Sequence, residues 1–350
     1  MNKRIIGLDI LRDIGVIFIF CYHFAVEYIV TAEGTATAMM TLNYFFNVMA
    51  RPASLFLFVI SGYALMYNHE DDLTIGKFYL RRFKGLFIPF YVAYTLMFLV
   101  SFFVENSAVG GTAPAYRFIF TILGIDGVVQ MKWTDFYLIG EWFMSCIVIC
   151  YALFPLLTKL LKKYKYQTLA VLLIWYVCIL FFFNPFGISP LMNPLLIVVY
   201  FYMGMLMEQT LKGVVLSRAF RGFCMAFSLA VWVYYLLAGY APQIMPFKIA
   251  TEPGEVLNIL WSLAMILALR DVYISPSGIS YRVITYISGI SWYVILLHHR
   301  IMILFYEKRP VDTYSYRDFI ALFILFVALT WIAAEAVRLI SDKIKKSLCK

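Results

Sequence analysis

Charged residues are scarce in this sequence of 350 residues. They make up 14% of the chain, whereas soluble globular proteins carry about 25%. Hydrophobic residues make up 63% and aromatic residues 19%, a composition typical of proteins with many membrane-spanning helices and many rings at the lipid interface. The shortage of charge excludes a soluble globular protein and indicates an integral membrane protein.

Cysteine is also scarce, and none of the six cysteines forms a CxxC pair. Five of them lie inside apolar segments, where cysteine behaves as a small apolar residue. The pattern indicates neither a disulfide framework nor a zinc site, and we expect no bound metal. The N-terminal run lacks a small-residue cleavage site, so it is expected to be a retained first helix.

Apolar runs long enough to cross a bilayer recur along the whole chain, since a span needs about 20 residues. Ten segments qualify: Leu8–Val30, Leu42–Tyr67, Leu86–Val104, Asp135–Leu157, Gln167–Phe183, Pro190–Met207, Gly222–Tyr240, Glu255–Ala268, Val283–Phe305 and Phe319–Ile340. They predict an all-α polytopic protein with a single membrane domain over residues 1–350 and no separate soluble domain. Pro52 is expected to kink the second span. The apolar piece Phe118–Ile125 is too short to span and is expected to be interfacial or re-entrant.

The basic residues are distributed unevenly over the predicted loops. With the N-terminus in the cytoplasm, the inner loops and termini carry 20 Lys and Arg and the outer loops carry 6. This bias supports ten spans with both termini inside, in the cell (plasma or inner) membrane. The net charge of +9 follows from this bias, and we expect no nucleic-acid partner.

Three ionisable residues, Arg12, His23 and Glu27, share one face of the first apolar helix. Eleven residues turn a helix 20° past three full turns and rise about 16 Å, so Arg12 and His23 are aligned, and Glu27 follows one turn later. An ionisable group inside a span costs about 2.5–3.5 kcal/mol, which makes each a functional candidate. His23 is either a general base or a hydrogen-bonding group between helices. Glu27 either orients His23 or faces water, and Arg12 either binds an anion or reaches the membrane surface.

A second group of candidates lies far along the chain. His298, His299 and Arg300 fall in the ninth span at a depth similar to that of His23. Because adjacent helical residues are 100° apart, we expect that His298 and His299 cannot both point at one target.

Further candidates lie near the third and fourth spans. Arg81, Arg82 and Lys84 precede the third span, and Glu141 lies near the outer end of the fourth. The three basic residues are either solvated loop charges or contacts to the phosphates of an anionic substrate.

Several segments resemble motifs of the membrane acyltransferase-3 family. The pair Arg12 and His23, preceded by Leu8-Asp9, resembles the family signature of an arginine and a histidine with ten residues between them. The other similar segments are Ser54–Tyr63 (SLFLFVISGY), Arg81–Pro89 (RRFKGLFIP) and Ser291–His298 (SWYVILLH), with weaker matches at Trp142-Phe143 and Tyr202–Met205. The chain departs from the pattern at Asp13, where a small residue is usual, and at Arg300, where a proline is usual.

The resemblance implies transfer of an acyl group, with acetyl as the expected group, from cytoplasmic acyl-CoA to a hydroxyl of a cell-surface glycan or lipid-linked sugar. It implies no permanently bound cofactor; acyl-CoA is a substrate, and the partners are the acceptor and membrane lipids. The implied site residues divide by role. Arg81, Arg82 and Lys84 would meet the CoA phosphates, Arg12 would neutralise the donor, His23 would be the general base, and His298, Arg51 or Ser61 would stabilise the oxyanion.

Two other classes compete with an acyltransferase. A transporter or flippase of a sugar or lipid would use His23 and Glu27 as a proton relay. The sequence shows no repeated half and no matching pair of Gly- or Pro-broken helices, two features common in transporters. A non-catalytic sensor domain of the same fold would bind no CoA.

Overall fold

The protein is all-α in the part of the chain that the computed structural model describes, which comprises residues 4–31, 36–69, 73–105, 109–182, 187–189, 192–241, 243, 256–308 and 316–348. The helices are α1 Ile6–Thr31, α2 Ala36–His69, α3 Ile75–Val100, α4 Phe118–Ile122, α5 Asp126–Val129, α6 Glu141–Phe181, α7 Pro194–Leu211, α8 Arg218–Tyr240, α9 Val256–Leu269, α10 Ile279–Lys308 and α11 Tyr316–Ser347. A π-helical turn, Ser101–Glu105, extends α3, and a 3-10 turn, Ala115–Arg117, precedes α4.

Seven of these helices are long and apolar enough to cross a membrane: α2, α3, α6, α7, α8, α10 and α11. Three helices account for the difference from the ten predicted spans. Among the described residues, α1 with its 26 residues is not one of the seven, and α9 has only 14 residues. Helix α6 has 41 residues and breaks at Tyr164 (φ −133°, ψ 47°), so it is long enough for two passes. Ten spans and cytoplasmic termini stay predictions.

The predicted start of the third span needs revision. Helix α3 begins at Ile75 and not at Leu86, because the buried Phe78 already belongs to its packed face and because Arg and Lys are good helix formers. Arg81, Arg82 and Lys84 therefore lie on a helix and not in a loop. Helix α2 continues through Pro52, and the kink expected there stays a prediction.

The chain forms two compact units, each built from discontinuous segments. The first unit comprises Met1–Tyr22, Met40–Leu73 and Leu153–Gly289, and the second comprises His23–Met39, Thr74–Ala152 and Ile290–Lys350. In the first unit, α2 crosses α7, and the Phe56 ring packs edge-on against Trp261 at 5.5 Å.

Aromatic packing positions the last part of α1 in the second unit. The Phe24 ring is fully buried and lies 4.9 Å from Phe319 and 5.9 Å from Phe326 of α11. Tyr28, one turn further along α1, packs edge-on against the same Phe319 ring at 4.9 Å. Because Phe24 directly follows His23 and points 100° away from it, this packing against α11 fixes the direction of His23 toward another helix.

Candidate active site

Three imidazole rings meet in the second unit. The His23 ring of α1 lies 5.0 Å from the His298 ring and 4.3 Å from the His299 ring, both on α10. The prediction that His298 and His299 cannot both reach one target is therefore wrong. Their two side chains diverge along α10, with rings 6.3 Å apart, and His23 inserts from a different helix so that it contacts both.

The backbone of α10 sets the tautomer of His298. Nδ1 of this buried ring lies 3.0 Å from the carbonyl oxygen of Val294 and 3.1 Å from that of Ile295. A carbonyl oxygen can only accept, so Nδ1 carries the proton and the lone pair of the neutral ring lies on Nε2. A neutral His298 therefore cannot donate from Nε2 to an oxyanion, and it can do so only after Nε2 is protonated.

Glu27 binds His299, a contact that was not predicted. The Glu27 carboxylate accepts from Nε2 of His299 at 3.0 Å, and each side chain is about one-fifth exposed. The bond places the lone pair of neutral His299 on Nδ1. The sequence placed Glu27 one turn from His23 on the same helix, but it gave no signal for a partner 272 positions away.

A cavity of about 220 Å³ opens beside this cluster. One wall is formed by α10, including His299 and Arg300, and the other by the segment that precedes α6, including Tyr137 and Gly140. Gly140 has φ +88°, a conformation that favours glycine and turns the chain into α6. The guanidinium of Arg300 donates through Nη2 to the buried Ser101 hydroxyl at 3.0 Å. His299 is thus the imidazole of the cluster that lines the cavity.

The described residues contain no group of three His, Cys, Asp or Glu side chains arranged to hold a metal ion.

Arg12 lies in the first unit, in a closed hydrogen-bonded triangle. Its Nη1 donates to Asp9 Oδ1 at 3.1 Å and to Ser288 Oγ at 2.7 Å, while the Ser288 hydroxyl donates to the same Asp9 oxygen at 2.7 Å. Asp9 is buried, and Arg4 binds its other oxygen. The triangle anchors Arg12 through one nitrogen, and the Arg12 side chain is about one-third exposed.

Under the predicted role of Arg12 in binding an acyl-CoA donor, replacing it with lysine is expected to raise the KM for acetyl-CoA about tenfold with a smaller change in kcat. A single ammonium must then serve Asp9, Ser288 and a substrate phosphate, whereas the arginine fork offers separate nitrogens, and one hydrogen bond to a charged group contributes about 1.5 kcal/mol. Steady-state kinetics on the purified protein measure the effect. Arg282→Lys, at an exposed arginine of α10 in the same unit, is the matched control. An unchanged KM would limit Arg12 to a structural role.

The basic residues of α3 have different surroundings. Arg82 is held between two aromatic rings, with its guanidinium carbon 5.8 Å from the ring centres of Phe78 and Tyr151. Lys84 donates to the carbonyl oxygen of Leu348 at 3.2 Å, at the C-terminal end of α11, where a cation is favourable. Arg81 is exposed on the surface of α3. Of the three, Arg81 has the most accessible charge.

Three further candidates complete the comparison. Ser61 lies on α2 in the first unit, half-buried, directly before Gly62. The side chains of Arg51 and Glu141 lie outside the described residues. Of the predicted catalytic residues, the second unit therefore brings together His23, Glu27 and His298, and the first unit holds Arg12.

Sequence reasoning missed a buried carboxyl in the connection before α6. Asp126 is almost fully buried and accepts from the amide of Gly127 at 3.0 Å. Burial, reinforced by the charge of Asp135, raises the pKa of Asp126 to about 7. No local pattern marks this residue, because its burial depends on how the whole connection folds.

The many apolar helices and the imidazole–carboxylate cluster define an integral membrane protein with groups suited to proton transfer. The chain belongs to the acyltransferase-3 family, whose model, described as "Acyltransferase domain", matches residues 5–335 and thus nearly the whole chain. It is a multi-pass membrane acyltransferase by this membership. No curated protein and no solved structure matches it.

Proposed function

We propose that this protein transfers an acyl group, with acetyl as the first candidate, from cytoplasmic acyl-CoA to a hydroxyl of a cell-surface glycan or a lipid-linked sugar. His23 acts as the general base. The observation that carries the proposal is the position of the His23 ring, 4.3 Å from a histidine that is hydrogen-bonded to a carboxylate and that lines a cavity.

The chemistry requires one proton to move as one bond replaces another. His23 takes the proton of the acceptor hydroxyl while the oxygen attacks the thioester carbonyl, which forms the new C–O bond. Collapse of the tetrahedral intermediate breaks the C–S bond, and the thiolate of CoA takes the proton back from His23. Base assistance of this kind contributes about 10²–10⁴-fold to the rate. Direct transfer fits the sequence, in which no GxSxG nucleophile motif occurs.

The surroundings of His23 support its role as a base. The Glu27 carboxylate is bound to His299, whose ring lies 4.3 Å from that of His23, and beside a neutral His299 this negative charge favours the imidazolium that forms on His23 during transfer. The oxyanion still needs a donor. Ser61 and Arg51 remain candidates, and His298 qualifies only when its Nε2 carries a proton.

Donor binding is assigned to basic residues, each considered within its own unit. In the first unit the Arg12 side chain is about one-third exposed, and in the second unit Arg81 is exposed; each suits a phosphate of CoA, since arginine binds phosphate through two parallel hydrogen bonds. Arg82 and Lys84 contribute positive charge to the same helix as Arg81, although each already has a partner.

The purified full-length protein in lipid nanodiscs tests this function directly. We expect CoA to raise the midpoint of thermal unfolding and labelled acetyl-CoA to be hydrolysed slowly, because water replaces a missing acceptor. Dephospho-CoA, which lacks one phosphate, is the matched ligand control and should stabilise the protein less. A protein that neither binds CoA nor turns over acetyl-CoA would exclude the proposal and favour the transporter or sensor alternative.

A further inference from the structure

The cavity beside the imidazole cluster has the size of a site for a single small group. Its volume of about 220 Å³ is below the roughly 300–1,000 Å³ of pockets that hold drug-sized ligands. It is therefore too small for a whole coenzyme or an oligosaccharide, and it suits one sugar ring or the end of an acyl chain. Leu296, Ile295 and Ile303 supply apolar surface against such a group.

The charge that faces this cavity is positive. Arg300 and His299 line it, and no acidic side chain is among the lining residues in the described part of the chain. His299 donates to the Glu27 carboxylate at 3.0 Å. One carboxylate near Arg300 is that of Glu307, which lies 4.0 Å from Nη1 and whose side chain is about half exposed to solvent.

Arg300 is also held in a fixed orientation. Its side chain is only 17% exposed, and the bond from Nη2 to the buried Ser101 hydroxyl fixes the plane of the guanidinium. A fixed planar fork is the geometry that binds a carboxylate or phosphate with two parallel hydrogen bonds. The sequence supports a dedicated role, because an arginine inside an apolar helix is costly.

We infer that Arg300 binds an anionic oxygen group, a carboxylate or phosphate, of a substrate seated in the cavity lined by His299 and Arg300. This inference rests on the proposed function and specifies its substrate class. The anionic group belongs either to the acceptor, as in a uronic acid or a sugar phosphate, or to the donor, as the terminal carboxylate of a dicarboxylic acyl group.

Saturation-transfer NMR on the full-length protein in nanodiscs tests the acceptor arm with methyl β-glucoside, methyl β-glucuronide and glucose 1-phosphate. We expect one of the anionic probes to bind about 10- to 100-fold more tightly than the neutral glucoside, the ratio that one charged hydrogen-bond pair supplies. Arg300→Gln should remove this difference. Arg117→Gln should keep it, because Arg117 donates to the carbonyl oxygen of Thr134 and does not line the cavity.

The donor arm compares hydrolysis of succinyl-CoA and acetyl-CoA. A preference for succinyl-CoA that disappears in Arg300→Gln, without selectivity among the sugars, would support the anion site and assign the anion to the acyl group. Equal binding of neutral and anionic sugars together with equal use of both donors would overturn the inference. An equal loss of turnover with every substrate in Arg300→Gln would also overturn it, since it would assign Arg300 to the oxyanion.

Two measurements keep this test independent of folding and of the proposed function. The preference of the wild-type protein for anionic over neutral probes is measured without any variant. If Arg300→Gln does not fold, Arg300→Lys takes its place, because it keeps the positive charge. CoA binding is measured in the same samples. Its absence counts against the acyltransferase proposal, whereas normal CoA binding without anion selectivity counts against the Arg300 site alone.

Discussion

Replacing His23 with alanine is expected to reduce acyl transfer by about 10²–10⁴-fold, which is the range that a positioned general base contributes. The reason is local, because the His23 ring is the member of the cluster that contacts both His298 and His299. The measurement is the O-acetyl content of surface polysaccharide by NMR in cells that produce the variant, together with acetyl-CoA turnover by the purified protein.

A second histidine provides the control for this experiment. His69, at the end of α2 in the first unit, is buried and packs edge-on against Phe154 at 6.4 Å. His69→Ala removes a buried imidazole of the same size outside the cluster, so it should keep acyl transfer at a comparable protein level. Unchanged acylation in His23→Ala at a normal protein level would remove His23 from the mechanism. Equal losses in both variants would indicate a defect in folding.

The helices predicted from the sequence agree with the structure where a long apolar run is enough to identify a helix. Helical spacing alone placed Arg12 and His23 on one helix, and α1 runs without a break from Ile6 to Thr31. The start of α3 was predicted too late in the chain. The prediction used hydropathy, which is low for charged residues, whereas the basic residues before Leu86 have a high tendency to form helix.

The partners of the site residues were beyond the reach of local patterns. Ser288 binds Arg12 from 276 positions away, and His299 binds Glu27 from 272 positions away. Contacts of this kind depend on how helices pack, and neither periodicity nor composition encodes the pairing. The tautomer of His298 is similarly a result of its backbone contacts on α10.

The motif around Ser61 has a packing explanation for its glycine. A Cβ atom at Gly62 of α2 would overlap the carbonyl oxygen of Phe201 on α7, and a Cβ atom at Gly204 of α7 would overlap the carbonyl oxygen of Val59 on α2. The two glycines thus allow the backbones of α2 and α7 to touch, as small residues do at the contacts of membrane helices. Both segments also lie in the regions that resemble family motifs, so part of that resemblance reflects packing and not chemistry.

Gly62→Ala and Gly204→Ala are each expected to destabilise the protein by about 3 kcal/mol or more, at the upper end of overpacking effects, because the obstacle is backbone and cannot change rotamer. Thermal unfolding of the detergent-solubilised protein and the recovery of a single size-exclusion peak measure the loss. Gly222→Ala is the matched control: it lies in helix α8 of the same unit, has open space around a Cβ atom, and should gain up to about 1 kcal/mol from helix propensity. Normal stability of both Gly62→Ala and Gly204→Ala would contradict the direct backbone contact of α2 with α7. In that case the role of the Ser61–Tyr63 segment would have to be sought in substrate binding instead.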